Sequence, residues 1–334
     1  MNVFYVFSDY VSKLDGDYSD LIQSAYAEST CKNFMSHSMN YIDFCGAHKL
    51  QLYPLNMVTV IRYLTHYTQK VGSYSTIANV VSSLTKFYSL SGFKLDVNHP
   101  LIDMLLKAAK RTMSNTAKPK SPLQVSHLIL IKNVVDCTNV THHAFIVALV
   151  FQFFTCLRKS NLLPVSANLK SLKCIKRSDV LYRNGSLIVM LSWSKTLQNK
   201  DDIFQVCIAP TDSHVLNPVR MYMHFIEMFP MPQHFPAFSF KQAGRVFVLT
   251  QRVYGQLLKH YLGLIGVPPS SFSSHSVRRG SSSFLFESGC DTHLIKHHGT
   301  WKSSAYQRYL TFNHHQRLIP TQKMHDKIKS MFGL

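Results

Sequence analysis

Acidic side chains are scarce in this 334-residue chain, where 17 Asp and Glu face 36 Lys and Arg, for a formal net charge of +19 with histidine neutral. Charged residues make up only 16% of the sequence and hydrophobic ones 46%. That balance excludes a disordered basic tail, because there is ample apolar surface to bury a core. Long apolar runs are missing too. The longest, Ala144 to Leu157, spans 14 residues and contains Gln152 and Thr155. A membrane-spanning helix needs about 20 apolar residues, so this run reads as a buried core helix. Residues 1–10 carry neither a basic start nor a small-residue cleavage site, so no signal peptide is expected. The seven cysteines form no C-x-x-C pair and sit mostly among apolar neighbours, a pattern that predicts reduced, buried thiols in an intracellular protein. With membrane and secretion set aside, the excess of positive charge points to a nucleic acid as the polyanionic partner.

Several catalytic patterns are absent as well. The chain has no G-x-x-x-x-G-K-[ST] phosphate loop, no G-x-G-x-x-G and no H-E-x-x-H. Its acidic residues are too few and too dispersed for a two-metal nuclease site. Three histidine doublets, His142-His143, His297-His298 and His314-His315, are poor metal clamps, because adjacent residues point in different directions on a helix. The expectation is therefore an activity with no metal and no cofactor, and no small-molecule substrate.

At roughly 150 residues per domain the length predicts two domains. Ser114 to Pro122, reading SNTAKPKSP, is the best linker, so the division is residues 18–112, a linker over 113–122, and residues 123–334. Residues 1–122 hold 12 basic and 8 acidic side chains, a net +4, whereas residues 123–334 hold 24 and 9, a net +15. The first piece reads as a four-helix bundle. Its apolar stripes are Phe34, Tyr41, Ile42 and Cys45 after Ser29-Thr30; Met57, Val60, Ile61 and Leu64 behind an Asn56 cap; Ile77, Val80, Val81, Leu84 and Phe87 closed by Gly92; and Ile102, Leu105, Leu106 and Ala109 entered by Pro100. The second piece is mixed. Helices are predicted over Val140 to Leu157, from Asn217-Pro218 to Phe229, and over Thr250 to Ile265. The β-rich runs Ser186 to Trp193 and Phe204 to Ile208 flank the polar turn LQNKDD as a hairpin, and the last 60 residues alternate helix with Gly- and Ser-rich turns.

The residues with chemical potential lie along the second piece. Arg158 follows the buried helix in FFTCLRKSNLLP, and Lys195 sits in the hairpin in SWSKTLQNKD. His275 and Arg278 form HSVRRG, and Trp301 and Tyr309 fall in HHGTWKSSAYQRYL, read as an amphipathic helix. Singly, each has a plain explanation: a helix-end contact, a solvated charge, a core aromatic.

Their order and spacing together resemble the tyrosine recombinases, the phage-integrase family, in which an Arg, a hairpin Lys, an H-x-x-R, a His or Trp and a Tyr follow one another in this order. The eight-residue step from Trp301 to Tyr309, the RKSNLLP after the first Arg and the SKT of the hairpin look most like the eukaryotic branches carried by Crypton and DIRS-type mobile elements. The resemblance covers roughly residues 20–315 and departs at Asn161, where many bacterial members place an acidic residue. It implies a mainly α fold with a small β-hairpin or sheet, in which a helical core-binding domain and a mixed α/β catalytic domain form a C-shaped clamp on DNA. It implies a site-specific recombinase or integrase that works through a covalent 3′-phosphotyrosyl intermediate without metal or ATP, in a homotetramer on double-stranded DNA, in the nucleus. In that reading Tyr309 is the nucleophile, Arg158 and Arg278 hold the phosphate with help from Trp301, His275 relays the phenol proton and Lys195 protonates the leaving oxygen. Tyr306, three residues before Tyr309, is the competing nucleophile. A domesticated, catalytically silent DNA-binding protein of the same fold, and a type IB topoisomerase, are the alternatives.

Overall fold

The computed structural model describes residues 26, 28–113, 120–168, 173–192, 204–210, 215–310 and 314–332. The chain divides into two compact units, Met1–Lys118 and Pro119–Leu334. Of the expected linker, residues 114–119 lie outside the described residues.

In the first unit, α1 (Glu28–Ala47), α2 (Met57–Lys70), α3 (Tyr74–Leu90) and α4 (Pro100–Thr112) form a bundle. Asn56 caps α2, its side chain accepting the Val58 N–H at 2.9 Å, and Pro100 opens α4 where a missing N–H costs nothing. The stripes converge on a core of Tyr41, Val60, Leu64, Val80, Leu84, Phe87 and Ile102. Tyr41 and Tyr88, both buried, satisfy each other's hydroxyls at 2.7 Å. Gly92 takes the left-handed conformation (φ 79°) just beyond α3.

The second unit is built around α6 (Val140–Thr155), which is buried on every side from Ala144 to Phe153. A helix apolar all round needs neighbours all round. They come from α5 (Val125–Val134), α8 (Pro218–Met228), α9 (Gln251–Leu264) and α10 (Ser274–Glu287). The antiparallel sheet β1 (Val180–Arg183), β2 (Ser186–Leu191), β3 (Phe204–Ile208) pairs Leu187 with Ile208 and Val189 with Val206, all four buried toward the core. A second hairpin, β4 (Ser239–Gln242) with β5 (Arg245–Val248), follows α8. Buried Arg177 ties the end of α8 to β4, donating to the carbonyls of Phe229 at 2.7 Å and Ser239 at 2.8 Å. Short α7 (Lys159–Leu162) and α11 (Thr292–His298) complete the ordered core, and α12 (His314–Phe332) follows.

The structure corrects several expectations. Helix α5, strand β1 and the β4–β5 hairpin carry too little periodicity to be read from sequence: β1 is four residues and α5 begins without a Ser, Thr, Asp or Asn cap. The buried helix ends at Thr155 and not at Leu157, because Cys156 turns left-handed. Trp301 does not begin a helix. The α11 helix stops at His298, and what carries Tyr309 is a 3-10 turn over Ser304–Tyr309. All seven cysteines are unpaired, yet only Cys45 and Cys156 are buried. Cys207, for one, sits on the solvent face of β3, where strand alternation places it.

Candidate active site

The site is assembled where α6 ends. Cys156, in the left-handed conformation (φ 53°, ψ 17°), turns the chain sharply, and Arg158 becomes the N-cap of α7. A left-handed residue other than glycine is disfavoured by roughly 1–2 kcal/mol, so the surrounding contacts must hold it. They do. Buried Gln152 donates to the Leu157 carbonyl at 2.9 Å, and Tyr254 of α9 donates to the Gln152 side-chain oxygen at 2.5 Å. Ser281 of α10 donates to the Phe153 carbonyl, which spends its proton, so the Cys156 thiol donates to Ser281 Oγ at 2.6 Å. Burial pushes the Cys156 thiol upward, keeping it protonated for that role. Arg158 is half-buried, and its carbonyl accepts from Asn161 N and Leu162 N at 2.9 and 3.2 Å.

Helix α10 supplies His275 and Arg278. Ser273 caps it, in a box with Ser276. The i, i+3 spacing puts the two side chains on one face, with His275 exposed in the first turn and Arg278 only 2% exposed. Arg278 binds the far side of the fold. Its Nη1 donates to the Cys156 carbonyl and its Nη2 to the Gly299 carbonyl, each at 2.5 Å, and the guanidinium lies 3.8 Å from the centre of the Trp301 ring. One arginine thus joins the turn before Arg158, the end of α11 and the tryptophan.

Trp301 is aimed by a Schellman ending of α11. Thr300 is left-handed (φ 55°), its N–H bonding His297 O at 2.9 Å, and Trp301 N bonds Lys296 O at 3.0 Å. The ring folds back over Gly299, where a Cβ would come within 1.4 Å of the indole. Glycine is therefore required for close approach and not for φ. His298 completes the closure, its Nε2 at 2.7 Å from the Phe154 carbonyl at the end of α6; burial lowers its pKa, so the neutral ring donates through Nε2–H. A close contact also fixes α10 from behind: the Leu123 N–H donates to Ser276 O at 2.9 Å, and a Cβ on Gly280 would stand 1.8 Å from Leu123 O.

Two of the six expected residues are described in part or not at all. Lys195 lies outside the described residues. Strand β3 starts at Phe204, whose ring is 6.2 Å from that of His297 of α11. Tyr309 ends the 3-10 turn over Ser304–Tyr309, and its side chain lies outside the described residues. Tyr306 is buried, its ring 6.1 Å from that of Trp301 in a cluster with Cys156 and Ile295. The structure brings Arg278 and Trp301 into contact and holds Arg158 two residues from the carbonyl that Arg278 binds. Sequence assigned no role in the site to Gln152, Cys156, Gly299 or His298, the last of these weighed only as half of a poor metal clamp. Only Gln152, a polar residue in an apolar run, offered a signal.

Comparison with known proteins agrees with this fold. No family model matches the chain. An integrase/recombinase xerD homolog from Selenomonas ruminantium is 20% identical over 296 residues, covering 86% of this chain and 83% of that protein. Among solved structures, the XerH site-specific recombinase in a post-cleavage complex with palindromic difH substrate matches 87% of this chain and 78% of its own at a TM-score of 0.63 and 14% identity. The chain has the tyrosine-recombinase fold. The Tn1549 transposon integrase with transposon right-end DNA matches 89% of this chain and 99% of its own (TM-score 0.58, 14% identity). A lambda integrase dimer on a COC′ core site matches 89% and 94% (TM-score 0.56, 17% identity).

Proposed function

We propose that the chain is a site-specific DNA recombinase or integrase that cleaves and rejoins strands through a tyrosyl–phosphate ester. The observation that carries the reading is Arg278. The buried guanidinium, donating to the carbonyls of Cys156 and Gly299 and stacked on Trp301, fixes a positive charge beside the turn that carries Arg158, which suits a site for an anionic phosphate. The similar proteins named above support it, an integrase/recombinase homolog by sequence and recombinase and integrase structures that hold DNA.

In this reading the Tyr309 oxygen attacks the scissile phosphorus, forming a P–O bond to the enzyme as the P–O5′ bond breaks. The phenol has an ordinary pKa near ~10 and needs help to attack at neutral pH. His275 takes its proton, and Lys195 gives one to the leaving 5′ oxygen. Arg158 and Arg278 neutralise the two nonbridging oxygens as charge develops on them, and the Trp301 indole N–H adds one donor. The ester keeps the energy of the broken bond, so reversal by a different 5′ hydroxyl rejoins the strand without ATP. Tyr306 is packing for Trp301. We further propose double-stranded DNA as partner, a homotetramer as the working assembly, an origin in a Crypton- or DIRS-like mobile element, and the nucleus as the compartment.

The test is covalent trapping on nicked duplexes with a randomised core. The wild-type chain is expected to yield a detergent-resistant protein–DNA adduct, kept by Tyr306→Phe and lost by Tyr309→Phe. Binding without adduct in the wild type would instead identify a silent DNA-binding relative.

A further inference from the structure

Beside the candidate site, the second unit holds a cleft of 340 Å³ that no step above uses. Lys159, Arg252 and Lys259 line it with Gly255, Gln256 and Ser274, and no Asp or Glu does. Among the described residues no ion pair holds any of the three cations. Three like charges converging on one cleft repel one another, and the arrangement becomes favourable once an anion sits among them.

The placement follows from α9. Arg252, Gly255, Gln256 and Lys259 stand at i, i+3, i+4 and i+7, one face of the helix, while Tyr254, Leu258, Tyr261 and Leu262 bury another. The apolar face anchors the helix, which presents its cations to the cleft. Between them Gly255 keeps the floor open: a Cβ there would meet nothing within 4 Å. From the other wall come Lys159, the residue after Arg158, and Ser274, the residue before His275. Partial burial draws the Lys159 ammonium below its ordinary pKa, the signature of a charge that has lost water and gained no counterion.

We propose that this cleft seats a second, non-scissile backbone phosphate of the same DNA duplex whose scissile phosphate is held by Arg158 and Arg278. The inference rests on the DNA reading above and adds to it a named contact. Phosphates along one strand recur at about 3.4 Å of helix rise, so a neighbouring phosphate lies within reach of the next residue along the chain. The Arg252 fork matches two phosphate oxygens, and the two lysines act as point charges. Such a contact reads no sequence. It sets register, deciding which phosphate is presented to the nucleophile.

The test is the salt dependence of duplex binding by the full chain. Two independent changes are used, the pair Lys159→Ala/Lys259→Ala, which removes cations, and Gly255→Glu, which leaves them and places a carboxylate in open space between them. Lys259 is exposed while Lys159 and Gly255 are half-buried, and thermal melting verifies that each variant is folded. Loss of one phosphate contact lowers the slope of log K against log salt by about 0.9, so a rise from about 50 to about 200 mM salt weakens the variant about 3.5-fold less than the wild type. Both variants are expected to show this fall, and combining them should add nothing, because one phosphate is lost in each. Slopes that stay at the wild-type value, or that fall additively, overturn the proposal. A steep wild-type slope unchanged in both variants sinks the cleft alone, whereas a flat wild-type slope removes the DNA reading itself.

Discussion

Gly280 and Gly255 lie in consecutive helices and answer to opposite constraints. A Cβ on Gly280 would stand 1.8 Å from Leu123 O and within 2.8 Å of Leu123 C and N, all backbone atoms that cannot swing away. Gly280→Ala is therefore expected to push the 121–123 segment off α10, break the Leu123 N–Ser276 O bond, and cost about 2 kcal/mol or more. Gly255 is a helix-interior glycine facing open space, so Gly255→Ala should stabilise the fold by about 0.5–1 kcal/mol through helix propensity and a less flexible unfolded chain. Denaturant titration of the two single variants checks both signs. From sequence the two glycines look alike. What separates them is which atoms lie opposite, and that is set by residues more than 150 positions away in the one case and by solvent in the other.

Helix α6 shows what an element can and cannot announce. Its apolar run predicts burial, and Ala144 to Phe153 are buried. The end of the helix was not legible, because no glycine marks it: Cys156 takes the left-handed turn under compulsion from Gln152, Ser281 and Arg278. Gln152→Leu removes the donor to Leu157 O and leaves the Tyr254 hydroxyl stranded in the core, for an expected loss of about 2–4 kcal/mol. Adding Tyr254→Phe should then cost less than it does in the wild type, since the hydroxyl it removes is already unpaired. A double-mutant cycle by chemical unfolding measures the coupling, and strict additivity would show that the Tyr254–Gln152–Leu157 chain does not act as a unit. The segment after α11 offers the same lesson. HHGTW reads as the start of a helix, yet Thr300 in a left-handed Schellman ending turns the chain back and lays Trp301 across Gly299.

At the scale of the whole molecule, four histidines in two units share one property. His37, His127, His143 and His298 are all drawn below the ordinary value of 6.5, in each case chiefly by burial. Burial favours their neutral forms, so on acidification the unfolded chain binds protons first. Stability is then full above about pH 6.5, falls as pH drops below it, and levels off beneath the folded-state values. The melting temperature is expected to be lower at about pH 5.5 than at about pH 7.5. His298→Gln, which keeps a donor for Phe154 O, should show a shallower fall, and a melting temperature that rises on acidification would contradict the scheme.

Charge acts at the same scale. The +15 of residues 123–334, against +4 in residues 1–122, places most of the attraction for a polyanion in the unit that holds the candidate site. Duplex binding should weaken steeply with salt, by about 0.9 in log K per log salt for each phosphate neutralised, and a slope near zero in a salt titration would count against the nucleic-acid partner.

Sequence by itself determined the scarcity of acid, the apolar stripes, the cap at Asn56, the helix opened at Asn217-Pro218, and the order Arg158, His275, Arg278, Trp301. These are local or compositional quantities, fixed by which side chains follow one another at helical or strand spacing. Tertiary structure alone decided that Arg278 faces inward to the carbonyls of Cys156 and Gly299, that Trp301 covers it, and that Lys159, Arg252 and Lys259 share a cleft. Each of those facts joins residues about 20 to more than 100 positions apart, and no periodicity along the chain encodes a contact whose energy exists only once the core around α6 has closed.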